Sequence, residues 1–240
     1  MNWYSLTKQS MPLPRVKNYP EKPSSGDPID DMYFSQFEDT KNMMDSLLPE
    51  ETIDPLGELD FLGAGAWGMA YTPKNDASKV VKYTSQRSEY ENVKNMLSEQ
   101  EERGGFSPYF AGIYSVDQVN DRIYRAVFEK VINLSRDEVL AVNHLLDYSS
   151  SMLYERTDPE KLLQTILGEE VFDYGYEEWR TPTSEEASDI KRLYPKYYKL
   201  INGLKSTGII HDDLHGDNIG LRENGDLVVL DYGGMRDELV

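Results

Sequence analysis

The chain has 240 residues, enough for one large domain or two small lobes with a real core. Lys and Arg number 25 against 43 Asp and Glu, and the formal charge of −18 repels phosphate, excluding nucleic acid as the main partner and favouring cationic ones. There is no cysteine for a disulfide framework, no basic and apolar leader, and no apolar run of membrane-spanning length, so a cytoplasmic setting without membrane contact is expected.

Residues 1–30 are rich in Pro, Ser, Lys and Asp and cannot bury enough surface to fold alone; they read as an extended tail or a strap on another surface. Phe34, Phe37, Met43, Met44 and Leu47 recur at helical spacing and predict a short amphipathic helix over 31–48. After Pro55 and Gly57, three β-rich runs follow: ELDFLG, MAYT and SKVVKYT. A helix over 85–102 comes next, with Ser85 as cap and Tyr90, Val93, Met96 and Leu97 on one face. Two strands joined through Asn120-Asp121 complete a β-rich part. Beyond Val131 the pattern is mostly helical, over 135–153, 158–170 and 184–208, with Pro195 a candidate kink in the last.

The segment HDDLHGDNIGLRENGDLVVLDYGG (211–234) crowds three aspartates and two histidines into its first eight residues. Asn224-Gly225 between apolar runs predicts a hairpin with a two-residue turn. Counting outward, Leu221 faces Val228, Ile219 faces Leu230, and Asn218 faces Asp231. Opposed side chains lie about 5 Å apart at Cβ, so an amide and a carboxylate there can share Mg²⁺, with phosphate completing its shell. The bland alternative is a hairpin with a polar end.

Upstream, GAGAWGMAY sets Gly63, Gly65 and Gly68 at G-x-G-x-x-G spacing. A strand follows rather than a helix, and no Gly-Lys-Ser/Thr is present, which excludes a dinucleotide fold and a P-loop. Such a loop between antiparallel strands can fold over phosphates through bare backbone N–H groups. Lys82 lies within the apolar strand KVVKY, where an exposed edge lysine is the ordinary alternative. Glu89 falls on the apolar stripe of the next helix and Glu91 on its polar face, so Glu89 is the expected ion-pair partner of Lys82.

Taken in order, these pieces resemble the protein kinase-like superfamily: glycine loop, strand lysine, helix glutamate, His-x-Asp-Leu-x-x-x-Asn and Asp-[Phe/Tyr]-Gly. The resemblance covers about residues 57–234 and implies an α+β, bilobal fold. Its N-lobe (51–131) would be a small antiparallel β-sheet plus one helix, its C-lobe (132–240) mostly helical and truncated, with an N-terminal extension (1–50) available to a partner. By position, Asp213 would be the base or hydroxyl-orienting carboxylate, Asn218 and Asp231 would hold Mg²⁺, and Lys82, paired with Glu89, would contact the ATP phosphates. Phe128 would back the pocket, with backbone groups of Glu129 and Val131 facing adenine. Asp212 and His215 depart from protein kinases; Asp-Leu-His resembles aminoglycoside and choline phosphotransferases. Only nine residues follow Asp231, so no activation segment is expected, as in some abbreviated phage kinases, and the insertion 132–183 would cover the exposed core.

The leading expectation is an ATP- and Mg²⁺-dependent protein serine/threonine kinase. The alternatives are a kinase of small-molecule hydroxyls, a nucleotide-binding pseudokinase used for assembly, and, from another class, a dinuclear metallohydrolase built on His211, Asp213, His215 and Asp217.

Overall fold

The computed structural model describes residues 16–17, 28–47, 54–152, 159–173, 178–207, 209–211 and 213–237. The fold is mixed α+β, and its contacts gather into two compact units. The first comprises Met1–Phe106 and Gly112–Lys130, the second Ser107–Ala111 and Val131–Val240. Among the described residues no helix is long and apolar enough to cross a membrane.

The first unit contains β1 (Val16–Lys17), α1 (Pro28–Leu47), β2 (Leu59–Gly65), β3 (Gly68–Pro73), β4 (Lys79–Thr84), α2 (Arg87–Arg103), β5 (Ile113–Gln118) and β6 (Tyr124–Glu129). Its sheet runs β1-β2-β3-β4-β6-β5, antiparallel except that β1 lies parallel to β2. Strand alternation sends Val81 and Tyr83 to one face, where they bury with Leu59, Met69, Tyr71 and Val127 under Phe37 and Met44 of α1. Each such apolar side chain contributes about 1.5–3 kcal/mol by leaving water. The helix expected over 31–48 thus exists, begins at Pro28, and belongs to this core rather than to a separate extension. Of the expected tail, Val16–Lys17 pair with β2 and residues 28–30 form the first turn of α1; residues 1–15 and 18–27 lie outside the described residues.

Beneath α1 lies a buried ionic network. Asp54, 1% exposed, accepts Arg125 Nε at 2.6 Å and Nη2 at 2.8 Å, Tyr83 Oη at 2.6 Å and Leu56 N at 2.7 Å. Burial pushes the Asp54 carboxyl up, but these donors outweigh it and hold the group below the usual carboxylate range. Burial together with Asp54 pushes the Tyr83 phenol well up.

α2 lies toward β5 and β6, burying Glu89, Val93, Met96 and Gln100. Ser85 does not cap it. The N-cap is Gln86, without a side-chain bond, while Ser85 N and Oγ lie 2.9 Å and 3.2 Å from Trp67 O.

The second unit contains β7 (Ile132–Asn133), α3 (Arg136–Met152), α4 (Pro159–Gly168), β8 (Val171–Asp173), β9 (Glu178–Arg180), α5 (Ser184–Thr207), β10 (Ile209–His211), β11 (Ile219–Leu221), β12 (Leu227–Val229) and β13 (Met235–Asp237). Reciprocal bonds between Ser135 and Glu138 start α3, and those between Thr183 and Glu186 start α5. α5 continues as helix through Pro195 and buries Ile190, Leu193, Tyr197, Leu200 and Leu204. α3 lies against α5 and α4, where the buried His144 ring bonds Ile166 O at 3.1 Å.

The expected hairpin forms, but its register is one residue off. Ile219 pairs with Val229 and Leu221 with Leu227. The loop has three residues: Arg222 N donates to Asp226 O at 3.0 Å and Gly225 N to Arg222 O at 2.8 Å. A two-residue turn of the expected type needs positive φ at both Asn224 and Gly225, and among the glycines here Gly225 supplies it at +82°. Asn224 instead accepts Asp226 N through its side chain at 3.0 Å. Asn218 is therefore opposed by Leu230, whose N–H donates to Asn218 O at 2.8 Å, and not by Asp231.

Candidate active site

In the first unit, Gly65 pairs with Gly68 across the tight turn Ala66-Trp67. A Cβ on Gly68 would lie 2.3 Å from Tyr83 O, so strand packing alone demands glycine there. Gly63 and Gly65 differ. A Cβ on either would meet nothing within 4 Å, and neither has a positive φ. Neither packing nor backbone conformation requires them, and their bare backbone is open to close approach by a ligand.

Lys82 lies in β4 between Ala70 of β3 and Ala126 of β6, on the face opposite α1. Its Nζ forms a hydrogen-bonded ion pair with Glu89 Oε1 of α2. The Glu89 side chain is 3% exposed and that of Lys82 25%, so a buried carboxylate holds a lysine that solvent still reaches. Glu91, 3.7 Å from Arg87, belongs to the solvent side. Tyr90 stacks on Tyr124, centroids 4.3 Å apart, beside the pair.

Phe128 is buried, paired with Val80 and Ile113. Glu129, three residues along β6 from Ala126, grips Gly112 twice: its N–H donates to Gly112 O and its Oε1 accepts Gly112 N, both at 2.8 Å. Val131 belongs to the second unit, its Cγ2 close to Gly220.

In the second unit, two segments lock together at one end of the β11–β12 hairpin. His211 Nε2 donates to Asp231 O at 2.9 Å, and its buried Nδ1 has no partner among the described residues. Asn218 Nδ2 donates to Asp213 O and to His215 Nε2, both at 2.9 Å. A Cβ on Gly234 would lie 3.0 Å from Asp213 Cβ. Asp231 Oδ1 accepts Gly233 N at 2.8 Å. These links, with the Leu230–Asn218 bond, bring Asp213, Asn218 and Asp231 into one constellation despite the shifted register. The Asp213 side chain is 70% exposed, with His215 Nε2 3.9 Å from its Oδ1.

The loop rests on α3. Gly216 N donates to Asn143 Oδ1 at 2.6 Å, and a Cβ at Gly216 would lie 2.7 Å from Val139 O. The sequence did not single out Asn143; its one signal is a polar residue beside the buried Val142 and His144. Asp212 lies outside the described residues.

Chemically, the Asn218 amide has both N–H groups engaged, which leaves Oδ1 as its unengaged acceptor among the described residues. With the Asp231 carboxylate it makes two hard oxygen donors. That set suits Mg²⁺, which takes one or two protein oxygens and completes its shell with water and phosphate. Among the described residues no three His, Asp or Glu side chains converge as metal ligands, so the cluster of His211, Asp213, His215 and Asp217 has no geometric support. The chain matches no protein-family model and no curated protein sequence.

Proposed function

We propose that the chain is an ATP- and Mg²⁺-dependent phosphotransferase of the protein kinase-like type, bilobal, acting on serine or threonine hydroxyls of proteins. The observation that carries the reading is the pair formed by Lys82 and the buried Glu89, set in a sheet whose Gly63 and Gly65 have no structural reason to be glycine. A carboxylate removed from water is costly unless it is paired, and this one fixes an ammonium group that solvent still reaches. Such an arrangement suits a ligand rich in negative charge.

Bound Mg·ATP would supply the phosphoryl group. Lys82, aimed by Glu89, would neutralise charge on the α- and β-phosphates, and the open N–H groups of the glycine turn would face the phosphates. Asn218 Oδ1 and the Asp231 carboxylate would hold the metal. Asp213, exposed and with its main chain fixed by Asn218, would orient the acceptor hydroxyl and take its proton. Phosphoryl transfer asks mainly for such positioning and charge neutralisation. The charge of −18 favours a cationic acceptor.

A second reading, a kinase of small-molecule hydroxyls, is favoured by His215 standing beside Asp213. Incubating the protein with γ-labelled ATP and a mixed lysate separates the two. Label on protein supports the first and label on small molecules the second. No label, with Mg·ATP still bound, leaves a nucleotide-binding module.

A further inference from the structure

On the inward stripe of α1, between Phe37 and Met44, stands a polar residue, Thr40, at 3% exposure. A buried hydroxyl needs a partner, and its neighbours on this stripe are apolar. The partner is remote in sequence: Thr40 Oγ1 donates to Gly65 O at 2.8 Å. That carbonyl belongs to the glycine that packing does not require. The turn is held from the α2 side as well. Trp67 O accepts Ser85 N at 2.9 Å and lies 3.3 Å from Thr84 Oγ1, and Ser85 Oγ sits 3.7 Å from Met43 Sδ of α1. α1 is itself anchored at its far end, where Asn120 Nδ2 donates to Leu47 O at 3.0 Å.

In a planar trans peptide the C=O and the following N–H point in opposite directions. Drawing Gly65 O toward α1 therefore turns Ala66 N–H to the other side of the sheet. Lys82 occupies that other side, because it alternates with Val81 and Tyr83, which bury under α1.

From this geometry we infer that α1 is a positioning element for phosphate, with Thr40 fixing the Gly65–Ala66 peptide so that its N–H faces the side on which Lys82 stands. The inference rests on the proposed nucleotide reading. A glycine turn free of this bond would sample many orientations, and few of them would present the donor. Residues before the sheet thereby become part of the machinery rather than an appendage.

The test uses the full chain with Thr40→Val, which keeps the shape and removes the hydroxyl, and Thr40→Ser, which keeps the hydroxyl. Amide relaxation of the free protein reports order at Ala66 and Trp67. Calorimetry reports affinity for Mg·ATP and for adenosine, which has no phosphates. Thr40→Val is expected to lower amide order at the turn and weaken Mg·ATP by about 3- to 10-fold, the worth of one hydrogen bond, while adenosine affinity holds. Thr40→Ser is expected to restore both. Equal losses for Mg·ATP and adenosine would reduce Thr40 to a packing residue and overturn the inference. Wild-type binding matched by Thr40→Val overturns the inference alone. A wild type that does not bind Mg·ATP overturns the reading of function and the inference with it.

Discussion

Replacing Arg125 with methionine removes the one guanidinium among the described residues that bonds Asp54 and leaves a carboxylate 1% exposed. Two charge-assisted bonds to Asp54 are lost, with a third to the half-exposed Asp117, while Tyr83 Oη and Leu56 N still donate to Asp54. At about 1.5–3 kcal/mol per bond to a charged group, offset by the gain from burying an apolar side chain, the loss comes to ~3–5 kcal/mol. The pH profile carries more information than the midpoint. In the wild type the Asp54 carboxyl is held low, so the folded state binds fewer protons than the unfolded one. Its contribution is then fully present above the unfolded value of ~3.9 and fades as pH falls through the lowered folded value. Without Arg125, desolvation dominates and the folded value rises above ~3.9. The sign reverses: the variant loses stability as pH rises above ~4, and acidifying from neutral toward pH ~5 narrows its deficit. Urea unfolding of both proteins across this range measures the difference. A loss under ~1 kcal/mol, or parallel pH profiles, would refute the assignment of a buried, uncompensated charge. The double variant Asp54→Leu/Arg125→Met is expected to recover most of the stability, because no charge is then left buried.

Three further outcomes follow from the geometry. Gly68→Ala is expected to cost more than ~2 kcal/mol, since its Cβ would strike Tyr83 O, whereas Gly63→Ala and Gly65→Ala leave the melting temperature unchanged yet weaken Mg·ATP binding; thermal melts and calorimetry separate these effects. Asn143→Ala removes the acceptor of Gly216 N and is expected to lower stability by ~1 kcal/mol and turnover by about tenfold, read by urea melts and steady-state kinetics. Thr40→Val is expected to weaken Mg·ATP while leaving adenosine affinity unchanged, which calorimetry with the two ligands checks.

Much of this arrangement is legible in the sequence. The inward phase of Glu89 against the outward phase of Glu91 follows from helical spacing, and the ion pair of Glu89 with Lys82 agrees with it. The strands β2 to β6 of the first sheet, six or seven residues each, are long enough to show alternation, whereas β1 has only two. The strands β7, β8, β9, β10 and β13 have only two or three residues, too few for any periodicity. The hairpin register failed because Asn224-Gly225 serves equally in a three-residue loop, where a single left-handed residue suffices. The roles of Thr40 and Asn143 are silent in the sequence for a common reason: each bonds a backbone atom, 25 and 73 residues away, and a backbone partner leaves no mark in sequence. Ser85 resembles a cap in the sequence because a serine before a helix does so wherever its hydroxyl bonds, and here the hydroxyl lies by Trp67 O.

The most direct test of the proposed phosphotransferase is a titration of Mg·ATP into the wild type, Asp231→Asn and Asp213→Asn, followed by turnover at saturation. Asp231 is the one full charge in the oxygen pair, so Asp231→Asn is expected to lose the Mg²⁺-dependent part of binding. Asp213→Asn is expected to bind nearly as the wild type does and to turn over about 10²–10⁴-fold more slowly, the loss of a general base. Lost binding in Asp213→Asn with binding kept in Asp231→Asn would reverse the roles, and a wild type indifferent to Mg·ATP would contradict the reading altogether.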